Sequence, residues 1–331
     1  MILLTGGSGF IGSHFQRSPY EEQFINLDLN EPKFQSKAAF SQGDIRRKED
    51  VSKAIQSKNI KSIISLAAKH HDFGIGHAEY FDTNEDGTAV ICEVASENGI
   101  KEIIFFSSVA VYGIRGEVST ELTTPQPDSP YGASKLAGEK VLQKWADEAA
   151  DRKVLIIRPT LVFGPNNMAN MRNLIRQIDS GLYFHLGKAD NIKSIAYVEN
   201  LVNATLYLKN RIKPGVSIYN YADEPQLTTR QISDTIAHAL NKKIRVTVPK
   251  TLGIMMGIPF DVMIKVTGKN FPISSARIKK LGTQTHHSAQ KIFQEGFRPS
   301  FTTLDGLRKM VEWYKEETST VRENDDHLKA K

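Results

Sequence analysis

Tyr131 and Lys135 lie four residues apart in SPYGASKLAGEK, a spacing that sets both on one face of a helix. Free tyrosine titrates near pH 10, too high for a base at neutrality. An ammonium about 4 Å away, at an effective dielectric near 20, favours the phenolate by roughly 4 kcal/mol, or about three pKa units. The pair is therefore a candidate general base for a hydroxyl proton. Ser108 closes the run EIIFFSS, where its hydroxyl could donate to the substrate oxygen or to the phenolate. Each feature alone has a plainer reading: a surface Tyr/Lys pair and a strand-end cap.

A second constellation opens the chain. In TGGSGFIG, Gly6, Gly9 and Gly12 are spaced G-x-x-G-x-x-G directly after an apolar run. The first glycine permits a tight turn, the second lets backbone approach a pyrophosphate, and the third lets a helix pack close with its N-terminal amides toward the phosphates. Asp28 ends the second apolar run, sixteen residues after Gly12. A carboxylate there accepts both ribose hydroxyls of NAD and repels a 2′-phosphate. A glycine-rich turn without a nucleotide is the alternative.

The elements that must position these groups read as βαβ alternation. Ile2–Leu4, Phe24–Leu27, Ile63–Leu66, Ile103–Phe106 and Val154–Ile157 are continuous apolar runs, as in a parallel sheet covered on both faces. Amphipathic segments near 10–18, 47–58, 77–98 and 130–150 lie between them. The expected fold is α/β, a Rossmann-like doubly wound parallel sheet with a smaller C-terminal substrate-binding lobe. The nucleotide domain is expected over 1–165, with 194–224 returning to the sheet. The lobe is expected over 166–193 and 225–316, and 317–331 reads as a charged, frayed tail.

Composition sets the remaining bounds. The chain has 331 residues, 40% apolar and 24% charged, which is globular composition. One cysteine, Cys92, excludes an intramolecular disulfide and a thiolate zinc cluster, and it fits a reducing compartment. No basic-apolar leader opens the sequence, and no stretch approaches the roughly 18 apolar residues of a membrane span. The formal charge of +6 is unevenly placed: residues 241–300 hold eleven basic residues against Asp261 and Glu295.

Taken in order, these motifs resemble the extended short-chain dehydrogenase/reductases, the NAD-dependent epimerase/dehydratases. The likeness spans nearly the whole chain: TGGSGFIG, GDIR at 43–46, SLAA at 65–68, Asn84 in NEDGT, SSVAVYG at 107–113, YGASK at 131–135 and RPTLVFGP at 158–165. It implies NAD as cofactor and Ser108, Tyr131 and Lys135 as the catalytic triad, with Lys135 also holding the nicotinamide ribose. It implies a cofactor site of Gly6, Gly9, Phe10, Ile11, Gly12, Asp28, Asp44, Ile45, Leu66, Ala67, Ala68, Lys69, Asn84, Tyr131, Lys135, Pro159 and Thr160. Asp44 and Ile45 would lie against adenine, while Asn84 and Thr160 would line the cofactor or substrate pocket. No metal is implied.

Departures from the family pattern narrow the reaction. The 4,6-dehydratases of the family carry an acidic pair after the catalytic hydroxyl; here Val109 and Ala110 stand there. Where many nucleotide-sugar epimerases have Tyr-Phe-Asn, this chain has Pro159–Thr160–Leu161. A closer resemblance is to bacterial epimerases acting on undecaprenyl-diphosphate-linked N-acetylhexosamine, through IIRPTLVFG, NMRNLIRQI at 170–178, KSIAYVENLV at 193–202, the run 267–282 and Gly296–Phe297. That subgroup implies a 4-epimerase interconverting the GlcNAc and GalNAc forms in surface-polysaccharide assembly. It implies a homodimer and a cytoplasmic location on the inner face of the membrane. A soluble UDP-sugar epimerase, a 4-ketoreductase and a non-catalytic nucleotide sensor are the rivals.

A lipid-linked substrate requires the pocket to reach a bilayer. The stretch TLGIMMGIPFDVMI at 251–264 is too short and broken to span, but it could lie in the interface, flanked by the basic residues of 241–300. Peripheral contact through 251–280 is the expectation, with an ordinary buried helix as the alternative. Nucleic acid is not an expected partner, since the segment has few aromatics to stack bases. Arg172 and Lys193 are candidate diphosphate contacts. His70 and His71 read as surface or capping residues near the cofactor loop.

Overall fold

Residues 1–18, 23–70, 76–267, 275 and 282–329 are described by a computed structural model. The apolar runs form the parallel strands β1 (Ile2–Thr5), β2 (Phe24–Asp28), β3 (Ala39–Gln42), β4 (Ser62–Ser65), β5 (Glu102–Phe106) and β6 (Lys153–Pro159). A seventh strand, Gly215–Tyr221, pairs with β6 from Gly215 opposite Lys153 to Tyr221 opposite Pro159. The sheet order is Gly215–Tyr221, β6, β5, β4, β1, β2, β3. The chain winds outward from β1 to β3, then crosses back to β4 on the other side of β1. The β1/β4 boundary is thus the topological switch point, where the strands' C-terminal ends present ligand-binding loops. The short strand β3 is absent from the sequence expectation, because its residues are half exposed and interrupt the apolar pattern.

Helices cover both faces: α1 (Phe10–Arg17), α2 (Lys48–Ile55), α3 (His77–Phe81), α4 (Gly87–Glu97) and α5 (Pro130–Asp147). On one face Leu3, Leu27, Ile63, Ile103, Phe105 and Ile156 pack with side chains of α2, α4 and α5. Alternate residues face the other way, where Phe15 of α1 meets Phe106 edge-on at 5.9 Å. Each fully buried Leu, Ile or Phe contributes about 1.5–3 kcal/mol, so this two-sided core carries the scaffold. The expected helix over 77–98 is three pieces. A π-helical turn, Asp82–Asp86, separates α3 from α4.

Two compact units divide the chain. The first holds 1–162, 198–222 and 287–300, including a helix, α7 (Val198–Lys209). Residues 194–197, expected to return with it, belong instead to the second unit, as do 163–165 and 223–224. Residues 287–300, expected in the lobe, belong to the first because Lys291 bonds the Ile218 carbonyl and Tyr219 bonds Glu295. The second unit holds 163–197, 223–286 and 301–331. It contains α6 (Asn170–Asp179), α8 (Thr229–Ala239), α9 (Lys250–Thr267) and the final helix Thr303–Lys329. A capping box of Thr228 and Gln231 starts α8. The expected frayed tail from Glu317 is instead a continuation of the final helix: Glu317 accepts two hydrogen bonds from Arg172 of α6 at 2.9 and 3.0 Å. That pairing also takes up the Arg172 guanidinium, while Lys193 donates to the Thr283 carbonyl at 2.5 Å.

Candidate active site

The loop after β1 is closed around its glycines. Gly6 has φ +72°, and a Cβ there would fall 2.6 Å from the Ala67 nitrogen. At Gly12 a Cβ would fall 2.5 Å from Gly7 Cα, so helix and loop pack backbone to backbone. α1 starts at Gly9 with no side chain capping it and no acid in its first turn. The Gly9 amide bonds the Gly6 carbonyl at 3.1 Å, which leaves the first-turn amides of Phe10, Ile11 and Gly12 without an intrahelical partner, as a pyrophosphate requires.

Asp28 accepts from the amides of Ser8 and Asn30, each at 3.0 Å. A carboxylate has about four acceptor positions, so these bonds orient Asp28 and leave two for ribose hydroxyls. Asp44 is tied to Arg46 by three side-chain bonds, and that guanidinium pulls its carboxyl below the ordinary range. Ile45 is buried. These residues fit a dinucleotide: a cradle with no room for side chains, an uncapped helix N-terminus and an oriented acid at the second strand's end.

The candidate catalytic groups come from the end of β5 and the first turns of α5. Ser108 follows β5 and caps a 3-10 turn, Val109–Tyr112, its Oγ accepting from the Ala110 amide at 3.1 Å. That bond uses a lone pair and leaves the hydroxyl proton to donate. Ser129 caps α5 through the Gly132 amide, with Pro130 in its first turn. Tyr131 and Lys135 follow one turn apart. Tyr131 is half-buried, its ring 6.4 Å from that of Tyr80.

Lys135 is 1% exposed, and its Nζ sits 4.2 Å from the Phe105 ring centroid. Burial pushes its pKa down to about 7, opposed by the Glu139 charge. Spacing alone predicts an ammonium of ordinary strength at Lys135, whereas the buried amine holds its proton weakly.

Asn84 lies in the π-helical turn. Its amide accepts from the Lys69 nitrogen at 3.1 Å and donates to the Lys69 carbonyl at 3.1 Å and Ser134 Oγ at 2.9 Å. It therefore joins the loop Leu66–Lys69 to α5. Ala67 reaches Thr5 Oγ1, and Leu66, Ala67, Ala68 and Lys69 are half-buried beside the glycine loop. Pro159 ends β6, and the Thr160 amide bonds the Tyr221 carbonyl at 3.0 Å. His70 is exposed; His71 lies outside the described residues. Sequence reasoning missed Glu139 and Arg158, although one stands a turn beyond Lys135 and the other opens RPTLVFGP.

A family model, the NAD dependent epimerase/dehydratase family, matches residues 2–222. The chain belongs to that family. It is 35% identical over 315 residues to the N-acetyl-alpha-D-glucosaminyl-diphospho-ditrans,octacis-undecaprenol 4-epimerase of Escherichia coli O157:H7, covering 94% of both chains. It is 28% identical to the UDP-glucose 4-epimerase of Vibrio cholerae, again over 94% of both. Among solved structures, the UDP-glucose 4-epimerase of Thermus thermophilus in complex with NAD overlays with a TM-score of 0.74 at 23% identity, covering 95% of this chain and 98% of that one. As a member of this family the protein is an enzyme with NAD as its cofactor.

Proposed function

We propose that the protein inverts C4 of an N-acetylhexosamine carried on a polyprenyl diphosphate, interconverting GlcNAc- and GalNAc-diphospho-undecaprenol. The observation that carries this reading is the end-to-end likeness to the Escherichia coli O157:H7 enzyme. Val109 and Ala110 support it, since neither offers the acid that a dehydratase needs to eliminate water.

NAD, when bound, supplies hydride acceptance and return at C4. The chain supplies the rest. The glycine loop and the α1 N-terminus hold the cofactor's diphosphate, and Asp28 holds the adenosine ribose. Tyr131 takes the proton of the C4 hydroxyl as that carbon is oxidised. Ser108 keeps its proton and donates a hydrogen bond to the same oxygen as it becomes a carbonyl. After the 4-keto sugar turns its other face, Tyr131 returns the proton and net redox is zero. Purified protein given the lipid-linked sugar and UDP-GlcNAc separately is expected to turn over the former. Turnover of the nucleotide sugar alone would contradict the lipid reading, and stoichiometric consumption of NADH would point to a reductase.

The lipid carrier asks for a membrane-facing surface, and α9 supports one. Leu252, Met255, Ile258 and Met263 are 50, 63, 51 and 45% exposed. At 100° per residue Leu252, Met255, Pro259 and Met263 form one stripe, with Ile258 beside it. The exposed Lys242, Lys243, Arg245 and Lys250 precede it. Near an anionic leaflet each is worth about 1 kcal/mol, so four supply roughly 4 kcal/mol. No helix among the described residues is long and apolar enough to cross a membrane. Much of the expected contact, 268–274 and 276–280, lies outside the described residues. The double variant Leu252→Glu/Met255→Glu is expected to lose co-sedimentation with phosphatidylglycerol vesicles; unchanged binding would refute this surface. A homodimer through the exposed faces of α4 and α5 completes the reading, and sedimentation at the monomer mass would contradict it.

A further inference from the structure

A buried polar chain runs behind the catalytic groups and takes no part in the steps above. Ser107 Oγ donates to Glu139 Oε1 at 2.5 Å. Arg158 donates from Nε to Oε1 at 2.9 Å and from Nη2 to Oε2 at 2.5 Å. Its Nη1 donates to Tyr112 Oη at 2.8 Å, and the Tyr112 hydroxyl donates to Asn220 Oδ1 at 2.8 Å. All five residues are buried. Burying such a pair gains little stability over an apolar packing of the same volume, so stability alone does not account for it.

Glu139 is one turn beyond Lys135 on α5, and both side chains are buried. Among the described residues no carboxylate forms a direct ion pair with Lys135. Other charged groups lie on the elements packed against α5: Glu79 of α3 pairs with Lys69 at 3.9 Å, and Glu85 of the π-helical turn is half-buried. Glu93 and Glu97 of α4 pair with Lys48, and Tyr219 of the Gly215–Tyr221 strand bonds Glu295. Asp82 and Asp86 of the π-helical turn are exposed. Arg158 is spent on Glu139 and on the Tyr112 hydroxyl, and Tyr80 of α3 faces Tyr131. Burial weakens the hold of Lys135 on its proton, and the Glu139 charge opposes that.

We propose that Glu139 is a positioning residue that holds the buried Lys135 in its cationic form without bonding to it. Arg158 and Ser107 make that possible. A free carboxylate at this spacing would swing to Lys135 and close a salt bridge, drawing the ammonium away from Tyr131. Three donors occupy the Glu139 oxygens instead, so its charge acts through space in a low-dielectric interior. The link to catalysis rests on the 4-epimerase reading, whereas the link between Glu139 and Lys135 does not.

The test is therefore a titration that needs no substrate. With lysine labelled at Cε by carbon-13, and the Lys135 signal assigned by Lys135→Arg, the pH dependence of that signal is read in wild type and Glu139→Gln. The Glu139→Gln midpoint is expected at least one pH unit lower, with Glu139→Asp within about half a unit of wild type. Because an unpaired Arg158 could unfold the single variant, Glu139→Gln/Arg158→Gln is measured beside it and is expected to keep an acid shift. A wild-type midpoint in either glutamine variant overturns the proposal. In turnover assays at pH 7 Glu139→Gln is expected to lose about fivefold or more in kcat with KM within about twofold. The Lys135-linked limb of the pH profile is expected to move to lower pH. A kcat loss with an unmoved profile would assign the network a structural role and overturn the proposal.

Discussion

Tyr131→Phe is expected to lower turnover by ~10³-fold or more while leaving NAD affinity within about twofold of wild type. The substitution removes one oxygen and keeps the ring that packs 6.4 Å from Tyr80. The helix should not notice, because its start is fixed by Ser129 and Pro130. The glycine loop, Asp28 and the α1 terminus lie on other elements, so cofactor binding has its own determinants. What is lost is the atom that accepts and returns the C4 hydroxyl proton. Calorimetric titration with NAD and a turnover assay on the same sample separate the two effects. Retained turnover would show that another group carries the proton, and the account of the site would fall with it.

Lys135→Met is expected to make the protein more stable and inactive. An amine of ordinary pKa 10.5 is brought to about 7 in the fold, mainly by burial. The sign follows from proton counting. Between about pH 10.5 and pH 7 the unfolded chain binds a proton that the folded chain does not, so stability falls as pH falls through that window. Below about 7 both states are protonated and the penalty stays at its full value. At 1.36 kcal/mol per unit the cost is about 4 kcal/mol at pH 7, an upper bound for the gain from a neutral side chain of similar length. Methionine also suits the Phe105 ring that Nζ now faces. Thermal denaturation of both proteins should show a higher midpoint for the variant at pH 7, with the difference shrinking toward pH 10. A difference independent of pH would mean that packing is responsible, and not a buried charge. A site that sacrifices stability for a charged group is the pattern expected where chemistry is done.

The scaffold was legible because a parallel sheet buries both faces of its strands. Runs such as Ile63–Ile64 and Ile103–Phe106 are apolar without alternation, and strands formed there. The motif residues were legible because backbone geometry demands their types, as at Gly6 and Gly12. Three further features, like β3 and the Glu139–Arg158 pair, were not. The π-helical turn at Asp82–Asp86 hides in an unbroken amphipathic pattern, and what fixes it is tertiary: Asn84 bonds Lys69 and Ser134, fifteen and fifty residues away. The final helix is held at Glu317 by Arg172, a partner 145 residues earlier. The weak hold of Lys135 on its proton depends on burial beside Phe105, which residue spacing does not encode. Long-range contacts, rather than local propensity, account for each of these departures.

The central claim is that one carbon of a lipid-linked sugar loses its hydrogen and regains it on the opposite face. The direct measurement uses GlcNAc-diphospho-undecaprenol carrying deuterium at C4, incubated with the purified protein in anionic vesicles with catalytic NAD. After release, the sugar is analysed by mass spectrometry. The expected result is a mixture of GlcNAc and GalNAc, both retaining deuterium at C4, and no conversion with Tyr131→Phe. Conversion with loss of the label to solvent, or no conversion of the lipid-linked sugar at all, would contradict it.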